Sequence, residues 1–161
     1  MRLVSTELCF GIPFAMDDAP NQADSRTLAR ELALKLLYVS DLSKPEQVDT
    51  QMQDVLEVEQ PDSAVTRLAT ELAAQVRENR EELDQVIEGV AVNWQVSRMP
   101  VIDRAILRMG SYELLYMHEV PPRVTINEAV ELAKKYSTEK SGAFVNGVLD
   151  KIYQTRCPEK V

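Results

Sequence analysis

The side chains with the clearest chemical meaning lie near the N-terminus, in the stretch SRTLARELALKLLYVSDL. Arg26 and Arg30 are four residues apart, and Tyr38 follows about two helical turns later. On a helix, this spacing places the three side chains toward one side. Guanidinium groups donate hydrogen bonds to phosphates and base edges, and a phenol ring offers a stacking plane, as in single-stranded RNA recognition. The pattern therefore predicts a small solvent-exposed face that binds RNA.

The sequence contains no set of reactive side chains with the spacing of a catalytic or metal site. The single histidine, His118, has neither a second histidine nor a cysteine pair to complete a metal site. The two cysteines, Cys9 and Cys157, lie in the predicted tails, which indicates a reducing compartment without disulfides. Carboxylate pairs such as Glu81 and Glu82 are typical of a solvated helical face. We therefore predict a protein that is not an enzyme and requires no metal and no cofactor.

Apolar residues recur at helical spacing along almost the whole chain, and no alternating run indicates a strand. The pattern predicts an all-α fold of about seven helices joined by short links. Trp94, in a connector, is expected to fill the core between two bundles. Capping boxes are expected at Ser43–Glu46 and Thr125–Glu128. The other helices are predicted at about residues 24–41, 63–79, 81–92, 101–117 and 138–155.

The length of 161 residues suits one domain with a sizeable core. We expect residues 23–156 to form this domain, with residues 1–22 as a poorly ordered N-terminal tail and residues 157–161 as a C-terminal tail. No apolar stretch reaches the roughly 18 residues of a bilayer span, and the N-terminal segment lacks a convincing cleavage site. A cytoplasmic location and no membrane partner are therefore predicted.

Charge is unevenly distributed along the chain. The net charge is -8. Residues 46–97 contain 12 acidic and 3 basic residues, whereas residues 98–161 contain 8 acidic and 10 basic residues. Screening at physiological salt confines the field of each patch to about 8 Å, so different parts of the surface can bind partners of opposite charge. We expect the two ends of the chain to accept a polyanion and the centre to attract a basic protein.

The segment AFVNGVLDKI places an asparagine and a glycine inside an apolar helix. A buried amide needs hydrogen-bond partners, and glycine costs about 1 kcal/mol relative to alanine in a helix interior. Asn127 and Asn146 are therefore expected to bond to neighbouring helices, and Gly142 and Gly147 to permit close helix approach. Phe144 is expected to belong to the core.

Two C-terminal segments, VIDRAILRMGSYELLY and VPPRVTINEAVELAKKYSTEKSGAFVNGVLDKI, resemble the NusB family of bacterial transcription antitermination factors. The first-helix stretch resembles this family more weakly, and the resemblance covers residues 24–153. It implies two three-helix bundles packed roughly perpendicular, without catalytic activity. It also implies binding of the boxA element of ribosomal RNA transcripts together with NusE, a small-subunit ribosomal protein, and suppression of premature termination by RNA polymerase.

The resemblance also implies which side chains contact RNA and NusE. The arginine-rich motif of the family falls on Arg26 to Arg30, where Thr27 and Leu28 stand between the two arginines. This reduced motif suggests that NusE contributes part of the RNA-binding surface. The implied sites are an RNA site of Arg26, Arg30, Tyr38, Arg104, Arg108, Arg123 and Lys140, and a partner contact of Asp103 and Glu113.

Two alternative functions are compatible with the same sequence. NusB-like domains also accompany the catalytic domain of ribosomal RNA cytosine methyltransferases, although this chain has no Gly-rich cofactor loop or catalytic cysteine motif. The other alternative is a structural homodimer, paired through the Gly142 and Gly147 face or through the first helix. Methyl transfer to ribosomal RNA would indicate the first alternative, and a dimer that persists with RNA and NusE would indicate the second.

Overall fold

The computed structural model describes residues 22–157 and the side chains of residues 24–157. Over that range the chain is helical, with single 3₁₀ turns before the second and fifth helices and no strands. The predicted all-α fold is therefore confirmed, while most of both predicted tails lies outside the described residues. The helices are α1 Gln22–Leu42, α2 Val48–Glu59, α3 Ser63–Glu78, α4 Arg80–Val90, α5 Val101–Tyr116, α6 Pro122–Tyr136 and α7 Glu139–Arg156.

The helices pack as two groups that share one core. In the first group α1 contacts α2 and α3, and in the second α5, α6 and α7 contact one another. Helices α1 and α3 also contact α5, and α4 contacts both α5 and α7, so α5 is central. Apolar side chains from both groups, including Leu36, Leu83, Ile106, Leu149 and Ile152, are almost completely buried. Burial of each such side chain contributes about 1.5–3 kcal/mol to folding.

Neither predicted capping box forms. Thr125 lies inside α6, which begins at Pro122, and its hydroxyl donates to the Glu113 carboxylate at 2.9 Å. The Ser43 hydroxyl donates to the Val39 carbonyl at 2.6 Å, in the last turn of the preceding helix. Both predictions were wrong because neither hydroxyl accepts a bond from a backbone N–H at a helix start. Each donates to another group instead, and in one case that group is on a different helix.

Two other helix starts agree with prediction because their caps are local. Asp62 accepts a hydrogen bond from the backbone N–H of Val65 at 2.9 Å and caps α3. Thr138 accepts one from the backbone N–H of Ser141 at 3.0 Å and caps α7. Such caps stabilise a helix by about 1 kcal/mol each.

Asn127, Asn146 and Gly147 are exposed, so the predicted packing joint at these positions is wrong. A Cβ atom at Gly147 would meet no described heavy atom within 4 Å outside its own helix backbone and chain neighbours. Gly142 is buried as predicted, and a Cβ atom there would lie 3.2 Å from Lys134 Cγ on α6. A closer approach occurs at Gly110 on α5, where a Cβ atom would lie 2.7 Å from Leu149 Cδ1 on α7. Glycine at position 110 therefore allows the two central helices to pack closely.

Cys157 directly follows α7 and is buried, although the sequence assigns it to a tail. Its Sγ atom lies 3.3 Å from the carbonyl oxygen of Leu114 on α5.

None of the helices in the described part of the chain is long and apolar enough to cross a membrane.

Candidate nucleic-acid interface

The core-facing side of α1 carries Arg30, which was predicted to point into solvent. Arg30 is 6% exposed, and its guanidinium donates hydrogen bonds of 2.8 and 2.9 Å to the two carboxylate oxygens of Glu113. Thr125 donates a further bond of 2.9 Å to the same carboxylate, and Glu128 lies 3.6 Å from Arg30. Because these groups hold α1, α5 and α6 together, Arg30 cannot bind RNA without breaking the joint. Glu113 is 2% exposed and equally unable to contact a partner protein.

Electrostatics keep the Arg30 guanidinium charged inside the protein. Burial acts to lower the pKa of Arg30, but the hydrogen bond and charge of Glu113, with the charge of Glu128, outweigh it and leave the pKa raised. The bidentate geometry gives two charge-assisted hydrogen bonds in a fixed orientation. Removal of either partner would leave a buried charge without compensation. The ion pair therefore has a structural role and holds α1 against α5.

The error about Arg30 has a geometric cause. Leu28 and Arg30 are separated by about 200° around a helix, so only one of them can face the core. The apolar Leu28 would be expected to face the core and the charged Arg30 the solvent, whereas Leu28 is 46% exposed and Arg30 is buried. Glu113, which makes this burial possible, is 83 residues away in the sequence. No spacing within α1 indicates such a partner.

A second group of ion pairs holds the two arginines of α5. Arg104 Nε lies 2.7 Å from an Asp41 oxygen at the end of α1. Arg108 donates two bonds, of 2.7 and 3.1 Å, to Asp84 of α4 and lies 3.8 Å from Asp41. Arg80 adds a contact of 3.4 Å to Asp41. This cluster joins α1, α4 and α5.

The ion pairs leave neither arginine of α5 freely accessible. Arg108 is only 6% exposed, so its predicted role as an RNA contact is wrong. The Arg104 side chain is 16% exposed and also donates to the backbone carbonyls of Ser97 and Met99, each at 3.3 Å. Its guanidinium is therefore largely committed to contacts within the protein.

Asp103 was predicted to contact a partner protein, but it is 5% exposed. Its Oδ2 atom accepts a hydrogen bond of 2.8 Å from the Ser141 hydroxyl in the first turn of α7. The backbone N–H of Ser141 is in turn held by Thr138. Asp103 therefore fixes the start of α7 against α5, and its carboxylate is inaccessible to a partner.

Four of the predicted RNA-binding side chains do reach the surface: Arg26, Tyr38, Arg123 and Lys140. Arg26 is partly exposed and borders a groove of about 410 Å³ between α1 and the turn before α6. Val124 lines this groove, so its neighbour Arg123 is at the same end of the molecule. Arg26 and Arg123 thus supply accessible guanidinium groups near the beginning of α1 and α6.

Tyr38 lies farther along α1, beside an apolar groove of about 430 Å³ between α1 and α2. The side chain is 39% exposed, which leaves its ring accessible. Lys35 and Glu59 form an ion pair of 2.8 Å among the residues that line the groove. Tyr38 therefore fits the predicted stacking role, but it stands on an apolar rather than a basic surface.

One exposed aromatic side chain was not predicted from the sequence. Trp94 was assigned to the core, yet it is 56% exposed in the loop between α4 and α5. Its ring meets Phe144 of α7 edge-on, with the ring centroids 5.5 Å apart. The signal that indicates exposure is local, since Trp94 stands between the polar residues Asn93 and Gln95 in a short connector.

A match to a known family covers nearly all of the described structure. The model of the NusB family matches residues 27–154. This chain belongs to the NusB family. The transcription antitermination protein NusB of Geobacter sulfurreducens is 45% identical over 137 residues, which cover 84% of this chain and 98% of that protein. The NusB protein of Anaeromyxobacter dehalogenans is 45% identical over 128 residues, covering 79% and 89% of the two chains.

Solved NusB structures have the same arrangement of helices. NusB from T. maritima superposes with a TM-score of 0.76 and 34% identity over 84% of this chain and 94% of that one. A NusB chain in a crystal structure of the antitermination factors NusB and NusE with double-stranded RNA gives a TM-score of 0.73. Its identity is 32%, over 81% of this chain and 96% of that one.

Proposed function

We propose that this protein is a transcription antitermination factor that binds boxA RNA of ribosomal RNA transcripts together with NusE. The complex joins elongating RNA polymerase and suppresses premature termination. The main support is the membership of residues 27–154 in the NusB family. The relatives are named as antitermination proteins, and one similar solved structure is a complex of NusB, NusE and RNA.

The RNA site consists of the side chains that the ion pairs leave accessible. Arg26 and Arg123 bind phosphates near the beginning of α1 and α6, and Lys140 does so at the beginning of α7. Tyr38 supplies an aromatic ring. Because Arg30 and Arg108 are occupied by Glu113 and Asp84, the site has fewer cations than the sequence suggests. NusE therefore supplies part of the RNA-binding surface.

The acidic middle of the chain favours a basic protein partner. Exposed carboxylates lie on α3 and α4, whereas Asp103 and Glu113 are buried and take no part. Complementary charge increases the association rate and orients the partner more than it increases affinity. The exposed acidic residues of α3 and α4 that attract NusE include Glu71, Glu78, Glu81 and Glu82.

In this role the protein acts by binding and not by catalysis, in the cytoplasm where transcripts are made. The decisive experiment measures binding of labelled boxA RNA, with and without NusE, in about 0.1 M salt. We expect preferential binding of boxA over a scrambled oligonucleotide when NusE is present. In a transcription assay with a terminator downstream of boxA, the complex should increase read-through.

Equal affinity for the scrambled RNA, or unchanged read-through, would contradict the proposed function. The same protein preparation distinguishes the two alternative functions, a methyltransferase component and a structural homodimer. Methyl transfer from a methyl donor to ribosomal RNA would favour a methyltransferase component. A dimer that light scattering still detects after addition of RNA and NusE would favour a structural role.

A further inference from the structure

The loop between α4 and α5 presents the single tryptophan of the chain to solvent. Trp94 is 56% exposed, and its ring meets the Phe144 ring with an angle of 60° between their planes. Phe144 is itself partly buried and packs against the core. The indole is therefore supported from one side and accessible over more than half of its surface.

Hydrogen bonds on both sides of Trp94 fix the loop. The backbone N–H of Trp94 donates to the Ala91 carbonyl at 2.9 Å, and that of Val96 donates to the Glu88 carboxylate at 2.8 Å. Ala91 and Val96 are 6% and 1% exposed and anchor the loop in the core. An aromatic ring on a fixed backbone loses little conformational freedom when it binds a ligand. Trp94 is thus a preorganised contact.

One basic side chain lies on the face of α7 that carries Phe144. Lys140 is exposed and lies one helical turn before Phe144, a spacing that places both on one face of α7. Gly147, on the next turn after Phe144, leaves the surface open. The surroundings therefore combine an aromatic ring, positive charge and free space.

We propose that Trp94 stacks against an unpaired base of the bound RNA, with Phe144 supporting the indole and Lys140 contacting a neighbouring phosphate. This contact rests on the proposed RNA-binding function and adds a residue to its site. Unpaired nucleotides are bound by an aromatic ring for the base and cations for the backbone. The exposed positive charge of Lys140 favours a polyanion over a basic protein such as NusE. The exposed carboxylates of α3 and α4 have the opposite charge and suit NusE.

The fluorescence of Trp94 provides a direct test because no other tryptophan contributes. Single-stranded boxA RNA is titrated into the protein, alone and with NusE, with the signal of NusE measured separately. We expect quenching that saturates at the RNA concentration at which anisotropy of the labelled RNA shows binding. A scrambled oligonucleotide should quench the Trp94 fluorescence only at concentrations at which anisotropy shows that it binds.

Substitutions identify the energetic contribution of the ring. Trp94→Ala should weaken boxA binding by about 5- to 100-fold, the range expected for loss of one base-stacking contact. Trp94→Phe keeps an aromatic ring and should lose less RNA affinity than Trp94→Ala. Val92→Ala is the matched control, since Val92 is 78% exposed in the same loop and should leave RNA affinity unchanged. Thermal unfolding checks that each variant is folded.

The outcomes separate the stacking contact from the proposed function. RNA binding without quenching, together with unchanged affinity of Trp94→Ala, would overturn the contact and leave the function intact. Weaker NusE binding by Trp94→Ala, with unchanged RNA affinity, would overturn it in favour of a protein-binding surface. No boxA binding by the unmodified protein with NusE would overturn both.

Discussion

Arg30 and Glu113 form a buried bidentate ion pair between α1 and α5, although 83 residues separate them in the sequence. Arg26, one turn earlier on α1, remains at the surface. Two arginines of one motif therefore lie in different environments. One holds three helices together, and the other is accessible to a ligand.

Breaking the Arg30–Glu113 pair should destabilise the protein strongly. We expect Glu113→Gln or Arg30→Met to lower the free energy of unfolding by about 3–5 kcal/mol, because the remaining partner is buried without compensation. The double variant Arg30→Met/Glu113→Leu should lose less stability than the sum of the losses in the two single variants. Urea unfolding followed by circular dichroism measures these changes. As a control, Lys35→Met breaks the surface pair with Glu59 and should cost less than about 1 kcal/mol. Single variants as stable as the unmodified protein would contradict the structural role.

Arg26 and Arg108 should respond oppositely in stability and RNA-binding assays. Arg26→Ala should change stability by less than about 0.5 kcal/mol, but weaken boxA binding and reduce the salt-dependence slope by about one. Arg108→Ala should cost about 1–3 kcal/mol of stability through loss of the Asp84 contact. RNA affinity of the folded Arg108 variant should be unchanged. Filter binding between about 0.05 and 0.2 M salt gives the slopes. An unaltered slope for Arg26→Ala would remove Arg26 from the RNA site.

The glycines of α5 and α7 should differ in their tolerance of alanine. Gly110→Ala brings a methyl group within 2.7 Å of the fully buried Leu149 side chain and should cost about 1–3 kcal/mol. Gly147→Ala meets open space within a helix and should stabilise the protein by up to about 1 kcal/mol. Thermal unfolding of the two variants, recorded under identical conditions, compares them directly. Equal effects would mean that α5 and α7 do not approach closely at Gly110.

The ion pair between Glu31 and Lys135 should contribute to the free energy of unfolding by an amount that depends on pH. Burial acts to raise the pKa of Glu31, but the hydrogen bonds from Lys135 and Tyr136 and the charges of Lys135 and Lys35 together outweigh it and hold the pKa below its ordinary value of 4.5. A carboxylate with a lowered pKa in the folded state stabilises the fold above its unfolded pKa, and this contribution disappears as pH falls through the folded value. We therefore expect Glu31→Gln to be slightly less stable than the unmodified protein near neutral pH. Urea unfolding should show the difference shrinking below about pH 4.5. A difference that stays constant at acidic pH would contradict the role of the pair.

The site was only partly predictable from the sequence. Arg26, Tyr38, Arg123 and Lys140 reach the surface, as expected for ligand-binding side chains. Trp94 was assigned to the core because large aromatic residues are usually buried, although its polar neighbours favour exposure. Its contact with Phe144 depends on where the α4–α5 loop meets α7. The number of residues between Trp94 and Phe144 does not indicate that contact.

The sequence alone determined the helical elements, because apolar periodicity and caps such as Asp62 and Thr138 act within a few residues of one another. Family resemblance was also readable from the C-terminal segments. Only the tertiary structure decided which arginines are available to a ligand. A buried guanidinium is stable only beside a carboxylate that compensates its loss of hydration, and Glu113 and Asp84 reach Arg30 and Arg108 from other helices.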